Sequence, residues 1–112
     1  MYKIEAYLRP ASLDKVQEAL AGIGIAGLSV LEVRGFGRQR GHREVYRGAE
    51  YTVDFVPKIK VEVAVKAADK QAAIDAIVQA SKTGQTGDGK VLVSAIEEAV
   101  RVRTGETGDS AL

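Results

Sequence analysis

Residues 84 to 90, Gly-Gln-Thr-Gly-Asp-Gly-Lys, carry the spacing G-x-x-x-x-G-K with which a chain can wrap a phosphate. Glycines let the backbone come close, successive amides can point at one anion, and Lys90 adds a positive charge. The next residue is Val91, where nucleotide-hydrolysing loops carry the Ser or Thr hydroxyl that holds Mg2+. The context is also inverted. Such loops follow a strand and open a helix, whereas here the pattern predicts a helix before the glycines and a strand after them. The hydrolase reading therefore fails twice. An anion cradle of another kind remains, beside the plainer alternative of a glycine-rich connection with an incidental lysine.

Arg101 and Arg103 favour the cradle. On a strand, residues two apart project from one face, roughly 6.6 Å from each other. Guanidiniums so placed repel unless an anion lies between them, and polyphosphate suits their fork geometry. The bland alternative is an edge strand made basic against aggregation. Gly35-Phe36-Gly37-Arg38-Gln39 is a further glycine-bearing segment with an arginine. Together these three segments point to a diphosphate or triphosphate ligand. No set of residues resembles a catalytic base with a nucleophile, and His42 lies in a polar stretch with no evident partner, so no enzyme activity is expected.

The elements that must position these residues can be read from periodicity. Residues 2 to 9 alternate, with Tyr2, Ile4, Ala6 and Leu8 on one side, which predicts a half-buried strand ended by Pro10. Ser12 is placed to cap a helix with Leu13, Val16, Leu20 and Ile23 on one face, and Gly22, Gly24 and Gly27 punctuate its end. LSVLEVRGF reads as a strand. Residues 37 to 50 are polar, rich in glycine and arginine and almost without apolar periodicity, which reads as a long exposed loop, beside the plainer alternative of a solvated hairpin extension. YTVDFV and KIKVEVAV read as strands around Pro57, and residues 68 to 82 as a helix with Ile74, Ile77 and Val78 on its apolar face. KVLVSA reads as a strand. SAIEEAV suits one capped turn with Ser94 as cap and Glu97 at the capping-box position, VRVRT a last short strand, and the tail is polar. The order is β-α-β, loop, β-α-β: an α+β, ferredoxin-like sandwich with a long insertion between its halves. Ile59, Val61, Val63 and Val65 alternate with Lys58, Lys60, Glu62 and Ala64, and two helices cover only one sheet face. Oligomerisation is the simplest cover for the other.

Bulk properties narrow the classes. One domain is expected from 112 residues. The formal net charge of +1 gives no excess field to hold phosphate backbones, which argues neither for nor against a nucleic-acid partner, and none is expected. Without cysteine there are no disulfides or thiolate metal sites. Lys3, Glu5 and Arg9 interrupt any signal-peptide core, and no apolar run approaches the ~18 residues of a membrane span, so the expected place is the cytoplasm.

GFGRQRGHREVYRGAEY at 35 to 51, TGQTGDGK at 83 to 90 and RVRTGE at 101 to 106 together resemble the PII nitrogen-regulatory signal proteins, and the resemblance runs over the whole chain. It implies one PII-type domain over 1–112, with an exposed T-loop at 37–55, a phosphate-binding loop at 82–90 and a C-terminal segment at 102–112. It implies a homotrimer with three clefts between subunits, each binding ATP or ADP competitively, and 2-oxoglutarate once Mg-ATP is bound. Carried onto matching positions, Gly87, Asp88, Gly89 and Lys90 hold phosphates together with Arg101, Arg103 and Arg38, and Gly35 and Gly37 flank them. Ser29, Glu62 and Ala64 lie near the ribose and base. Gln39 ligates Mg2+. Lys58 pairs with the distal carboxylate of 2-oxoglutarate, whose other end meets Gly37, Gln39, Arg40 and Gly41. Arg47, with Tyr46 and Tyr51, would engage partners, Arg47 at the position that related proteins insert into an ammonium channel. Tyr51 matches a tyrosine that many members have uridylylated, where the host has a uridylyltransferase. Targets in the family include adenylyltransferase, histidine kinase, an ammonium channel (the one route to a membrane) and an arginine-pathway kinase.

The sequence departs from the family pattern at Arg40, where lysine is usual, which puts 2-oxoglutarate affinity in question. Tyr7 is bulkier than the usual aliphatic residue near the nucleotide, Ser29 replaces a common threonine, and Lys66 a common proline. Ala49 removes the phosphorylated serine of some members. Three classes of function compete: a non-enzymatic ligand sensor, an adenylate-energy sensor with slow ATPase activity and weak 2-oxoglutarate response, and an interaction module with a vestigial pocket. The intact GDGK and RVR motifs favour the first two.

Overall fold

In a computed structural model that describes residues 1–36, 43–46, 49–52 and 55–112, with side chains placed outside 37–54, the N-terminal alternation forms β1, Tyr2–Leu8. Its even positions Ile4, Ala6 and Leu8 are buried. β1 lies inside a four-stranded antiparallel sheet of order β2-β5-β1-β6, with β2 at Ser29–Gly35, β5 at Val56–Val65 and β6 at Gly89–Ala95. Leu8 pairs with Ile59 on one side and Gly89 on the other. Helices α1, Leu13–Gly22, and α2, Lys70–Ser81, pack on one face. Each βαβ half is split by a strand of the other half, the ferredoxin-like arrangement that the element order predicts.

The core is the apolar register of two strands against one stripe of each helix. Ile59, Val61, Val63 and Val65 of β5 join the β1 residues, and Val16, Leu20, Ala73 and Ile77 close over them. Each fully buried aliphatic chain contributes about 1.5–3 kcal/mol. Ile23 and Val78, expected on the apolar faces, lie at their margins and stay partly exposed. α1 ends in a Schellman motif. Gly24, at φ 87°, donates to Ala21 O at 3.0 Å, and the Ile25 amide donates to Leu20 O at 2.9 Å.

Four expectations change. Ser12 precedes α1 but its side chain makes no capping bond, because a 3-10 turn over Pro10–Ser12 leads directly into the helix and turns Ser12 helical. Another 3-10 turn, Ala67–Asp69, opens the segment predicted as helix from 68. Ser94 belongs to β6, paired with Lys3, so it caps no turn at Glu97. Within the polar stretch 37 to 50 and the strand predicted from 51, the described residues form a hairpin, β3 at Arg43–Tyr46 and β4 at Ala49–Thr52, separate from the main sheet. β5 then runs unbroken through Pro57.

The sheet face away from the helices carries Lys3, Glu5 and Tyr7, Lys58, Lys60, Glu62 and Ala64, Leu31 and Val33, and Lys90 and Leu92. Lys60 lies 2.9 Å from Glu62 and 3.5 Å from Glu5, and Lys3 2.9 Å from Glu5. This ion cluster is flanked by Leu31 and Leu92, which are 44% and 50% exposed.

Candidate anion site

The glycine loop joins α2 to β6, the inverted context read from the sequence. What holds it is Asp88. One carboxylate oxygen accepts the amides of Thr83 and Gly84, both at 2.8 Å, and the other accepts the Thr83 hydroxyl. These bonds favour the charged form and hold the carboxyl at about 2, the Thr83 hydroxyl acting most strongly. Two cations from other elements reach the same loop. Arg9, just past β1, donates from Nη2 to Thr86 O at 2.6 Å, with its Nε 3.6 Å from Asp88. Lys58 of β5 donates to Gly87 O at 2.6 Å. Burial and then the nearby Arg9 charge lower the Lys58 ammonium below its ordinary range, against the pull of Asp88.

Gly89 is where the loop becomes β6. It has φ 108°, and a Cβ there would meet Tyr7 O at 1.8 Å, so only glycine fits between the loop and β1. Gly87 also has positive φ, 101°.

Beside this loop opens a cleft of about 970 Å³, lined by Gly35, Lys58 and Gly87 to Lys90 together with Tyr7, Arg34 and Phe36. Ligand pockets are commonly about 300–1,000 Å³. Phe36 and Phe55, whose ring centroids are 5.8 Å apart, bracket the segment 37–54 in sequence, so that segment leaves and rejoins the sheet at the cleft's rim.

Other expected residues lie elsewhere. Ser29 pairs with Glu62, and Ala64 is two residues further along β5, toward the opposite end of the same sheet face. From Lys58 to Glu62 is four strand residues, roughly 13 Å. Arg101 and Arg103 are not on a strand. The segment folds back on itself as a turn, bridged between Val100 and Thr107, with Arg101 N donating to Glu106 O and Gly105 N to Arg101 O, both at 2.8 Å. The Arg101 guanidinium reaches Glu106 Oε1 at 3.2 Å and Leu112 O at 3.1 Å. The two guanidiniums therefore do not form the same-face strand pair that alternation suggested. Val102, between them, is 100% exposed. Gly37, Arg38, Gln39, Arg40, Gly41 and Arg47 lie outside the described residues, as do the side chains of Tyr46 and Tyr51.

With that geometry, comparison is informative. The sequence model of "Nitrogen regulatory protein P-II" matches residues 1–106. The chain belongs to the P-II family. Curated P-II proteins of Rhodospirillum rubrum and Cereibacter sphaeroides are 57% and 56% identical to it over 112 residues, the full length of both chains in each case. A crystal structure of Arabidopsis thaliana PII bound to citrate superposes with a TM-score of 0.82 at 39% identity, covering 99% of this chain and 91% of the plant chain. P-II proteins are signal-transduction regulators of nitrogen metabolism. No helix among the described residues is long and apolar enough to cross a membrane.

Two parts of this P-II site were not singled out from the sequence. Thr83 is the hydroxyl partner of Asp88, and Arg9 is the cation behind the loop. The signal for Arg9 lay in topology. β1 and β6 are antiparallel neighbours with Leu8 opposite Gly89, so residue 9 must come beside residue 88.

Proposed function

We propose that this P-II protein is a nitrogen, carbon and energy signal regulator. It works as a homotrimer of single-domain chains, binds ATP or ADP, and with Mg-ATP binds 2-oxoglutarate. The observation that carries this reading is the meeting of Gly35, Lys58 and Gly87 to Lys90 on one cleft where the 37–55 segment leaves the sheet. Backbone amides, a lysine and a glycine-permitted close approach suit phosphate.

The trimer is supported by the way the expected ligand residues divide. Ser29, Glu62 and Ala64 sit at the far end of the sheet face from the glycine loop. Two chains that face each other across this sheet can bring one subunit's glycine loop to the other's Ser29, Glu62 and Ala64, so that one nucleotide meets both groups. The same face presents Leu31 and Leu92 around an ion cluster, a surface that a second sheet would cover.

The plant relative's structure is bound to citrate, a polycarboxylate. A dicarboxylate near Lys58 suits this chain because the ammonium places a positive charge at the cleft. ATP and 2-oxoglutarate are both anions, so Mg2+ held by Gln39 would offset their repulsion and make the second ligand depend on the first. The segment 37–55, anchored at the cleft by Phe36 and Phe55, would transmit occupancy to targets such as an adenylyltransferase, a histidine kinase, an arginine-pathway kinase or an ammonium channel, with Arg47, Tyr46 and Tyr51 at the contact. Tyr51 would be the uridylylated residue. The function is regulatory rather than catalytic, and a cytoplasmic location fits it. Native mass spectrometry with ATP tests the assembly: three chains carrying up to three nucleotides support the reading, and a monomer or an empty trimer overturns it.

A further inference from the structure

We propose that Asp88 and Arg9 are positioning residues that set the glycine loop for its anion, acting through the loop backbone rather than by touching the ligand. The proposal rests on the nucleotide-binding reading above. Asp88 ties the two ends of the loop together: its own residue lies next to Gly89, and its carboxylate occupies the amides of Thr83 and Gly84 just after α2. A loop of six residues, 83 to 88, is thereby closed by its own anion. The peptide bonds are trans. In a trans unit the carbonyl of one residue and the amide of the next point in opposite directions. Arg9 fixes Thr86 O, which turns the Gly87 amide away from Arg9. Lys58 fixes Gly87 O, which turns the Asp88 amide back to Gln85 O at 3.4 Å. The orientation of these peptides is thus dictated by the side chains of Arg9, Lys58 and Asp88 bonded to the loop's own backbone.

Such a clasp lowers the ordering cost of binding, because the loop is already in one conformation before the anion arrives. It also prevents a competing interaction. Without Asp88, the amides of Thr83 and Gly84 become alternative donors, and an incoming phosphate can be drawn to the wrong end of the loop. Arg9 holds the clasp from behind. Its Nε is buried with no hydrogen-bond partner among the described residues and faces Asp88 at 3.6 Å, so the pair is electrostatic and tolerant of small loop movements.

The test uses the full chain with Asp88→Ala and Asp88→Asn. Two quantities are read: hydrogen exchange at the Thr83 and Gly84 amides without ligand, and ATP affinity by calorimetry. The expectation is that Asp88→Ala exposes both amides to exchange and weakens ATP about tenfold. Asp88→Asn, whose one side-chain oxygen can accept both amides as the carboxylate oxygen does, recovers most of both, and circular dichroism shows both variants folded because the loop lies outside the core. Unchanged exchange and affinity in Asp88→Ala overturn the proposal. So does an Asp88→Asn variant as weak as Asp88→Ala with an altered Mg2+ requirement, since that assigns the carboxylate to the ligand itself. Absence of ATP binding in the parent chain would sink the nucleotide reading, while the exchange measurement would still decide the clasp.

Discussion

Gly89→Ala is the substitution whose cost the structure fixes most tightly. Two effects act together. The residue has φ 108°, where an L side chain is strained, and such positions cost about 1–3 kcal/mol. The added Cβ would also sit 1.8 Å from Tyr7 O and 2.9 Å from Tyr7 C. Those atoms are backbone of β1, the strand that pairs on both sides, so relief requires the β1–β6 rung at Leu8 and Gly89 to separate. Overpacking of that kind costs about 1–3 kcal/mol more. The sum is about 2–6 kcal/mol. At roughly 4 °C per kcal/mol for a domain of this size, the melting temperature falls by about 8–24 °C. Gly84→Ala is the control. It has φ 87° but open space around its Cβ, so it carries the backbone strain alone, about 1 kcal/mol. Circular-dichroism melts of the parent and both variants decide the matter. If Gly89→Ala melts no lower than Gly84→Ala, the close approach of loop to β1 is not a constraint and the reasoning about the loop's seat is wrong.

Further outcomes are expected. Asp88 is lowered from 3.8 to about 2, so its contribution to loop closure is complete above the unfolded value and is lost as pH falls through about 2; exchange protection of the Thr83 amide should be undiminished down to about pH 4, decline from there and be gone below about pH 2. Lys58→Met removes a cation that faces the cleft and releases Gly87 O, and it should cut 2-oxoglutarate affinity about tenfold or more and ATP affinity by less; an unchanged effector affinity would displace Lys58 from the site. Arg101→Ala combined with Arg103→Ala should weaken ATP more than tenfold through loss of charge-assisted bonds, and calorimetry that finds no change would place both arginines outside the nucleotide site.

Sheet and helices were legible because burial imposes a period. β1 and β5 alternate and α1 and α2 carry apolar stripes, so their existence follows from side chains that must leave water. The inverted context of the glycine loop was equally readable, since it needs only the order of α2 and β6. Where no burial acts, reading failed. Val100, Arg101, Val102 and Arg103 alternate like a strand, yet Val102 is fully exposed and the segment closes on itself through Arg101, Gly105 and Glu106. Alternation there reports no core face, and local hydrogen bonds decide. The β3–β4 hairpin could be read only as the plainer alternative to a loop for the same reason, because pairing between two polar runs leaves no hydrophobic signature. Ser94 and Glu97 fit a capping box by spacing, but pairing with β1 extends β6 through Ser94. Asp88 and Arg9 show the limit for the site. Their types were visible, but their partners, the loop's own amides and carbonyls, appear only once the chain is folded.

The most direct test of the central claim is a calorimetric titration of 2-oxoglutarate into the protein with Mg-ATP, with ADP, and with no nucleotide. The account predicts binding with Mg-ATP alone, because the metal must offset two anions that share one cleft. Binding of 2-oxoglutarate that ignores the nucleotide, or none in any condition, would contradict it.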